Sequence, residues 1–346
     1  MHRTIRHRTI RTLALAGCAA AALNGSALAQ DKVTLKFADW MSLSHYTVSH
    51  AAIPFMDKVK ELSGGNIEIQ HFPAEQLGKA KDALSLVQSG VADIANISPS
   101  YIPDKFALTS VAELPAMFDT ACQGSEAVAK LSEGDGIIAQ REFQPNKVHV
   151  LTSIAYAPYK VLTVNRAVRT AADFSGLKLR TAGGAMDLTA TALDAISVRM
   201  PGPDILPSLS RGTLDGALAP LQSVRVFDLQ TVLKHQTIDV SLGSFVTMYV
   251  ISDRAWQTLS EENRNILGEA GQYAAKAHCT YVDTEEPKVI ESLAADGVVP
   301  NEMDEGQLAV VVEKLSSVQQ SWAKSLDDRG RPGSETLKAF IEAVGK

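Results

Sequence analysis

The chain has 346 residues, of which 45% are hydrophobic and 21% charged, and its formal charge at neutral pH is −6. This length and composition predict a folded protein with two lobes and exclude a disordered chain. The acidic balance argues against nucleic acid as a partner, because a protein that contacts phosphates needs a basic surface.

The first 29 residues have the pattern of a secretory signal peptide. Four arginines precede an alanine-rich apolar run at 13–23, and Ala27-Leu28-Ala29 is a small-residue cleavage site. Cleavage after Ala29 removes those arginines and takes the formal charge from −6 to −10. Lipidation of Cys18 is the less favoured alternative, because the apolar run continues past it. We therefore expect an unanchored mature protein in the periplasm.

Residues 33–97 predict three strands with two helices between them. Apolar and polar residues alternate at 33–37, 66–72 and 91–97, as in strands. Ser44 is the expected N-cap of the first helix. The loops that follow the first and third strands contain Trp40, Ser98 and Tyr101.

Residues 177–219 repeat this order of elements, and the phrase Ser89-Gly90-x-x-Asp93 returns as Arg211-Gly212-x-x-Asp215. Two β-α-β-α-β units predict an α/β protein with two lobes and mainly parallel sheets. In such sheets ligands bind beyond the carboxyl ends of the strands. The loops that follow these strand ends are therefore expected to share one cleft.

Two extended segments, 152–163 and 244–251, are expected to cross between the lobes as a hinge. The predicted first lobe comprises residues 30–157 and 246–284, and the predicted second lobe comprises residues 158–245 and 285–346. A long helix over about residues 260–295 is expected to bridge the lobes.

The two C-terminal helices carry recognisable local signals. Ser260 is the predicted N-cap of the bridging helix, and Pro287 predicts a break or kink within it. Asp304 and Gln307 predict a capping box at the start of the last long helix.

Two cysteines, Cys122 and Cys279, remain after the signal peptide. In an oxidising compartment they form either one disulfide or two buried thiols, and the sequence leaves both open. No paired spacing of cysteine and histidine indicates a metal, and no cofactor is expected.

Arg180 is the main candidate for a binding residue. It ends a predicted strand, and Gly183 and Gly184 follow it before a helix begins. A guanidinium binds a carboxylate with two parallel hydrogen bonds, and a glycine pair allows a ligand to come close. The alternative is a solvated arginine at the end of a strand.

Several motifs occur in a specific order along the chain: Gln76-Leu-Gly78, Ser89-Gly90-x-x-Asp93, Asp173-Phe-Ser-Gly-Leu-Lys-Leu-Arg180, Leu209-Ser-Arg-Gly-x-x-Asp-Gly216 and Val250-Ile-Ser-Asp-Arg-Ala-Trp256. Because of these motifs and their order, residues 33–325 resemble the solute-binding proteins of tripartite ATP-independent periplasmic (TRAP) transporters, of the C4-dicarboxylate-binding type. The resemblance implies a two-lobed periplasmic binding protein fold with mixed sheets that closes on an organic acid. It also implies delivery of that acid to the small and large subunits of an ion-gradient-driven permease.

The resemblance assigns roles to two cations. Arg180 falls on the arginine with which the family pairs the substrate carboxylate. Lys160 falls where some members carry a second arginine, and it retains the charge without the planar fork. A solvated strand lysine is the alternative for Lys160.

Departures from the family pattern bear on the ligand. Ala219 stands where many members have an asparagine before Pro220, and Trp40 stands where members that bind sialic acid have an asparagine. Those members also have an aromatic residue near the position of Gly202. We therefore expect a small monocarboxylate, for example a 2-oxo or 2-hydroxy acid, with an apolar or aromatic tail.

Trp40, Tyr101 and Tyr156 are expected to pack on that tail, and ordinary core packing is the alternative for each of them. A C4-dicarboxylate or a sugar acid is the alternative ligand, and a periplasmic sensor is the alternative receiver. No catalytic motif is present, so we expect a binding protein rather than an enzyme. We also expect the protein to be a monomer.

Overall fold

Two β-sheets organise residues 32–346, the part of the chain that this computed structural model describes. The predicted signal peptide and Cys18 lie outside the described residues. The strands, numbered along the chain, are β1 (Val33–Ala38), β2 (Ile67–Phe72), β3 (Ile94–Ile97), β4 (Val148–Ala155), β5 (Lys160–Thr163), β6 (Lys178–Thr181), β7 (Ile196–Arg199), β8 (Gly216–Ala219), β9 (His235–Thr237), β10 (Val246–Ser252) and β11 (Val299–Asn301). The helices are α1 (Ile53–Leu62), α2 (Ala83–Gln88), α3 (Ala121–Ser132), α4 (Ala185–Ala192), α5 (Ile205–Ser210), α6 (Ser223–Val226), α7 (Asp253–Thr258), α8 (Glu261–Ala295), α9 (Glu305–Asp327) and α10 (Gly333–Val344).

Both sheets mix parallel and antiparallel strands, as predicted. The first sheet has the order β2-β1-β3-β10-β4, with β1 parallel to β2 and β3 and with β10 antiparallel to β3 and β4. The second sheet has the order β11-β9-β5-β8-β6-β7, with β6 parallel to β7 and β8. We refer to the parts of the chain built on these sheets as the first and second lobes. The strands of the two predicted repeats pair in parallel, and so do β9 and β11 outside the repeats.

The central strands β3 and β8 are buried along their whole length. Such strands lack the alternation of a half-exposed strand because helices and neighbouring elements cover both of their faces. Within each repeat the parallel strands end at the same edge of the sheet, so the loops that follow them are brought together there.

Two crossing segments run side by side between the sheets. One joins β4 to β5 and the other joins β9 to β10. The amide of Tyr156 donates to the carbonyl of Phe245 at 3.0 Å, and the amide of Tyr159 donates to the carbonyl of Gly243 at 2.8 Å. Paired extended segments of this kind are the hinge that the sequence predicted, although the exact lobe boundaries stay a prediction.

The long helix α8 contacts β4 in the first sheet and β11 in the second. Its predicted N-cap is confirmed, since the Ser260 hydroxyl accepts the amide of Asn263 at 3.2 Å. Of the predicted break or kink at Pro287, the break is wrong, because α8 continues through this residue to Ala295, and the kink stays a prediction. The buried side chains of Val282 and Leu293 hold the helix against the protein on both sides of the proline.

Two other local predictions need correction. Asp304 caps α9 by accepting the amide of Gln307 at 2.8 Å, but the Gln307 side chain accepts from the amide of Ala171 instead of completing a capping box. Ser44 does not cap the first helix. Its hydroxyl contacts that of Ser42, and a π-helical turn at Val48–Ala52 precedes α1.

A disulfide joins α3 to α8, because Cys122 and Cys279 are bonded with their Cα atoms 4.7 Å apart. The sequence left this pairing open. The bond ties the long helix to the first lobe, and the adjoining amides of Ala121 and Cys122 also donate to the Asp283 carboxylate of α8.

Candidate functional site

A small cavity of about 20 Å³ lies where the loops of the two sheets meet. Its lining consists mainly of aromatic and other apolar side chains around one guanidinium, from Trp40, His45, Tyr101, Tyr156, Tyr159, Arg180, Gly202, Ile205, Ala219, Pro220, Ser223, Phe227 and Phe245. Of the residues selected from the sequence, the cavity brings together Trp40, Tyr101, Tyr156, Arg180 and Ala219.

The Arg180 side chain is held in a fixed orientation inside this cavity. It is 2% exposed, its Nε donates to the carbonyl of Met200 at 2.9 Å, and Nη1 donates to the carbonyl of Leu218 at 3.3 Å. Within residues 32–346, no carboxylate forms a salt bridge with it. A buried cation without a counter-charge is costly, so a negatively charged partner would stabilise it.

Tyr101 connects the two lobes at the cavity. Its hydroxyl accepts the backbone amide of Gly202 at 3.0 Å and lies 3.5 Å from Nη2 of Arg180. Its ring meets that of Trp40 edge-on, with the ring centres 5.6 Å apart. Burial raises the pKa of Tyr101, so the hydroxyl keeps its proton at neutral pH and can donate it to a ligand.

Phe227 supplies an aromatic wall that the sequence comparison missed. A Cβ atom at Gly202 would lie 2.7 Å from the Phe227 ring, so this glycine leaves room for it. The Phe227 ring, from just beyond α6, therefore occupies the space beside Gly202. No local signal at Phe227 could have shown this, because the two residues meet only through the fold.

His45 is a second residue that sequence reasoning did not select, although it lies in the loop after β1 that was already of interest. Its ring stacks on that of Tyr46 with the centres 4.7 Å apart, and it meets the Phe227 ring at 5.6 Å. Burial lowers the pKa of His45 to about 4, so the imidazole is neutral at neutral pH.

Tyr156 lies at the start of a buried polar chain. Its hydroxyl is 3.0 Å from that of Thr47, which in turn lies 3.2 Å from Nε2 of His278 in α8. Burial is the main cause that raises the pKa of Tyr156, so this hydroxyl is not a source of charge. The chain links the cavity wall to the long helix.

Two of the selected residues do not line the cavity. Ser98 is buried beside it, and its hydroxyl has no hydrogen-bond partner among the described residues. Lys160 is half-buried and faces the charges of Glu286 and Asp239. Burial lowers the pKa of Lys160 and raises that of Glu286, while the attraction between the two side chains opposes both shifts.

A wider groove lies outside the cavity and shares Tyr101 with it. Lys79, Lys81 and Arg199 line this groove, together with the carboxylates of Glu75 and Asp204. Lys79 is paired with Glu75 and Arg199 is paired with Asp187, so carboxylates largely balance the positive charge of this groove.

Comparison with known proteins identifies the family. Residues 39–325 match the family model described as bacterial extracellular solute-binding protein, family 7. The chain belongs to this family. Members of family 7 bind small organic acids and work with TRAP membrane permeases, and the relatives found here are transport proteins rather than enzymes.

Among relatives of this family 7 protein, the sialic acid-binding periplasmic protein of Vibrio cholerae is 24% identical, with 86% of this chain and 88% of the relative covered. A crystal structure of a marine metagenome TRAP solute-binding protein specific for aromatic acid ligands, with metahydroxyphenylacetate, has a TM-score of 0.83 and 25% identity. The match covers 90% of this chain and 98% of the marine protein. A Bordetella bronchiseptica TRAP solute-binding protein with bound (R)- and (S)-mandelate has a TM-score of 0.81 and 25% identity, covering 90% and 99%.

Members of this family are periplasmic. None of the helices within residues 32–346 combines the length and the apolar character needed to cross a membrane.

Proposed function

We propose that this protein captures a monocarboxylate with an apolar or aromatic tail and presents it to a TRAP permease, with the ligand carboxylate on Arg180. The observation that carries the proposal is a buried guanidinium without a carboxylate partner in the described residues, placed in a cavity with aromatic walls. The guanidinium has free N–H groups for a carboxylate, and the rings offer apolar surface for the tail.

The charge of the cavity favours one carboxylate over two. Arg180 is the single charged side chain among the lining residues, since His45 is neutral and Lys160 faces Glu286 outside the lining. A second carboxylate would be buried without a counter-charge, which is unfavourable. Ala219 and Trp40 likewise provide few groups to pair with the hydroxyls of a sugar acid, so those hydroxyls would lose hydrogen bonds to water.

The ligands of similar structures agree with this class. The marine protein binds an aromatic acid, and the Bordetella protein binds mandelate, a 2-hydroxy acid with an aromatic ring. Both are about as similar in sequence as the sialic acid-binding relative, so the argument rests on the cavity of this chain first.

A thermal-shift screen of the mature protein tests the proposal. The panel contains aromatic, short apolar, 2-oxo and 2-hydroxy monocarboxylates, C4-dicarboxylates and sugar acids, each at a concentration well above its dissociation constant. A ligand at about a thousand times its dissociation constant stabilises the protein by roughly 4 kcal/mol, which shifts the melting temperature by several degrees. Shifts restricted to dicarboxylates or sugar acids would overturn the proposed ligand class. Mass spectrometry of the denatured protein identifies any acid that purifies with it.

A further inference from the structure

The His45 imidazole lines the cavity, and the proposed binding of the ligand carboxylate at Arg180 does not involve it. It is 2% exposed and comes from the loop after β1 in the first sheet, whereas Arg180 comes from β6 in the second sheet. The hydrogen-bond partners of the two side chains are different residues. The cavity therefore has polar groups on both lobes at which a ligand can be held.

The position of the proton on His45 follows from its surroundings. The backbone amide of Thr47 donates to Nδ1 at 3.1 Å, so Nδ1 is an acceptor and the neutral ring carries its proton on Nε2. Burial favours the neutral ring, and the charge of the nearby Asp39 carboxylate only partly opposes this effect. Stacking on Tyr46 and the edge contact with Phe227 fix the plane of the ring.

The Nε2–H group makes no hydrogen bond to any residue in the described part of the chain. The indole Nε1–H of Trp40, which also lines the cavity, is likewise buried without a partner in residues 32–346. No carboxylate side chain is among the lining residues. The buried Trp40 donor without an acceptor costs free energy, so a ligand that brings an acceptor oxygen is favoured here.

We infer that His45 binds an oxygen on the tail of the ligand through Nε2–H, and that the ligand class is oxygen-substituted aromatic or apolar monocarboxylates. This inference deepens the proposed function and rests on it. A neutral N–H donor suits a hydroxyl or carbonyl oxygen, whereas a carboxylate in that position would lack a counter-charge. A ligand that reaches both Arg180 and His45 contacts both lobes, so its oxygen substituent contributes to closure as well as to selectivity.

Isothermal titration calorimetry with benzoate and its three ring-hydroxylated isomers tests the inference. The measured quantity is the affinity of the best isomer divided by that of benzoate, for the wild type and three variants. His45→Phe keeps an aromatic ring of similar size without the donor, and His45→Gln keeps a donor near the position of Nε2. His50→Phe is the control, because the His50 ring stacks on Tyr281 outside the cavity lining.

We expect the wild type to bind the best isomer about 2- to 12-fold more tightly than benzoate, which corresponds to the net value of one hydrogen bond. His45→Phe should bring this ratio close to one, whatever its effect on the benzoate affinity itself. His45→Gln should retain part of the ratio, and His50→Phe should retain all of it.

Failure of this inference differs from failure of the proposed function. If the wild type binds benzoate and every isomer equally, His45 does not recognise the ligand, while the carboxylate site stands. If the ratio survives in His45→Phe, another group recognises the hydroxyl, and the inference is wrong. If no aromatic acid binds, both this inference and the proposal of an aromatic ligand fail. Should His45→Phe not fold, nitrogen NMR of the wild type decides, because Nε2 must shift with the hydroxylated acid and not with benzoate.

Discussion

The Tyr101 hydroxyl of the first lobe lies 3.5 Å from the Arg180 guanidinium of the second lobe. The same hydroxyl accepts the amide of Gly202, so one oxygen of the first lobe contacts two groups of the second. The proposed carboxylate on Arg180 would therefore be bound next to a point where the lobes touch. A ligand that favours this arrangement stabilises the closed form, which is the form that carries the contact.

Replacing Arg180 should remove the anchor for the ligand carboxylate. We expect Arg180→Ala to weaken binding by about 2–5 kcal/mol, the range for a buried charge pair that loses one partner. The affinity of Arg180→Lys should lie between those of the wild type and Arg180→Ala, because lysine keeps the charge but lacks the planar guanidinium. Calorimetric titration with a ligand from the screen measures the effect. Lys178→Ala is the control, since Lys178 is an exposed cation on the same strand.

The same Arg180 variants distinguish binding from a structural role. Removing a buried cation that lacks a carboxylate partner relieves a desolvation penalty, so the ligand-free variant should be at least as stable as the wild type. Urea unfolding without ligand measures this. A variant that is less stable and still binds the acid normally would assign Arg180 to the scaffold instead.

Tyr101→Phe should weaken ligand binding through the closed form. Phenylalanine keeps the ring against Trp40 but leaves the amide of Gly202 without its partner. A buried donor that loses its acceptor costs about 1–3 kcal/mol, and we expect most of this cost to appear as faster dissociation. Stopped-flow fluorescence measures the rate. Equal rates for the wild type and the variant would contradict the contact, and Tyr281→Phe, outside the cavity lining, is the control.

Lys160 should contribute to stability through Glu286 more than to ligand binding. Lys160→Met leaves the half-buried Glu286 carboxylate without its main electrostatic partner, and we expect a loss of about 1–3 kcal/mol in unfolding free energy. The double variant Lys160→Met/Glu286→Gln should recover most of that loss, because neither charge remains. A loss of affinity as large as that of Arg180→Ala would instead show that Lys160 contacts the ligand directly.

Glu113 should make stability fall as the pH rises towards 8. The side chain is fully buried, Ser100 donates to it, and its Oε2 has no hydrogen-bond partner in the described residues. Burial raises the pKa of Glu113 from 4.5 to about 8. Between these values the native state holds a proton that the unfolded chain has lost. This group alone therefore lowers the unfolding free energy by up to about 1.4 kcal/mol per pH unit over that window.

Glu113→Gln removes this contribution and should be more stable than the wild type at pH 8, with a smaller dependence on pH. Urea unfolding at pH 6.5, 7.5 and 8.5 compares the two proteins. In this range the pKa of His45, lowered to about 4 by burial, keeps that ring neutral in the native state. Parallel pH profiles for the two proteins would show that Glu113 is already ionised in the native state.

Local sequence patterns determined much of the scaffold and the place of the site. Alternating apolar and polar residues, with glycines at the ends of the elements, predicted both repeats. Arg180 was selected because it ends a strand before a glycine pair. The N-caps Ser260 and Asp304 could be predicted because each side chain bonds the amide only three residues further along the chain. These features depend on neighbours within one or two turns of the chain, so a single sequence contains what is needed to predict them.

Other features depended on contacts between residues far apart in the chain. Phe227 occupies the space left by Gly202, the helix passes through Pro287, and Cys122 is paired with Cys279. Likewise, the tautomer of His45 follows from a turn and a burial that only the packed loops create. The sequence by itself therefore determined the repeated α/β scaffold and its cation. Only the tertiary structure decided which side chains surround that cation, because their positions depend on how the two lobes pack.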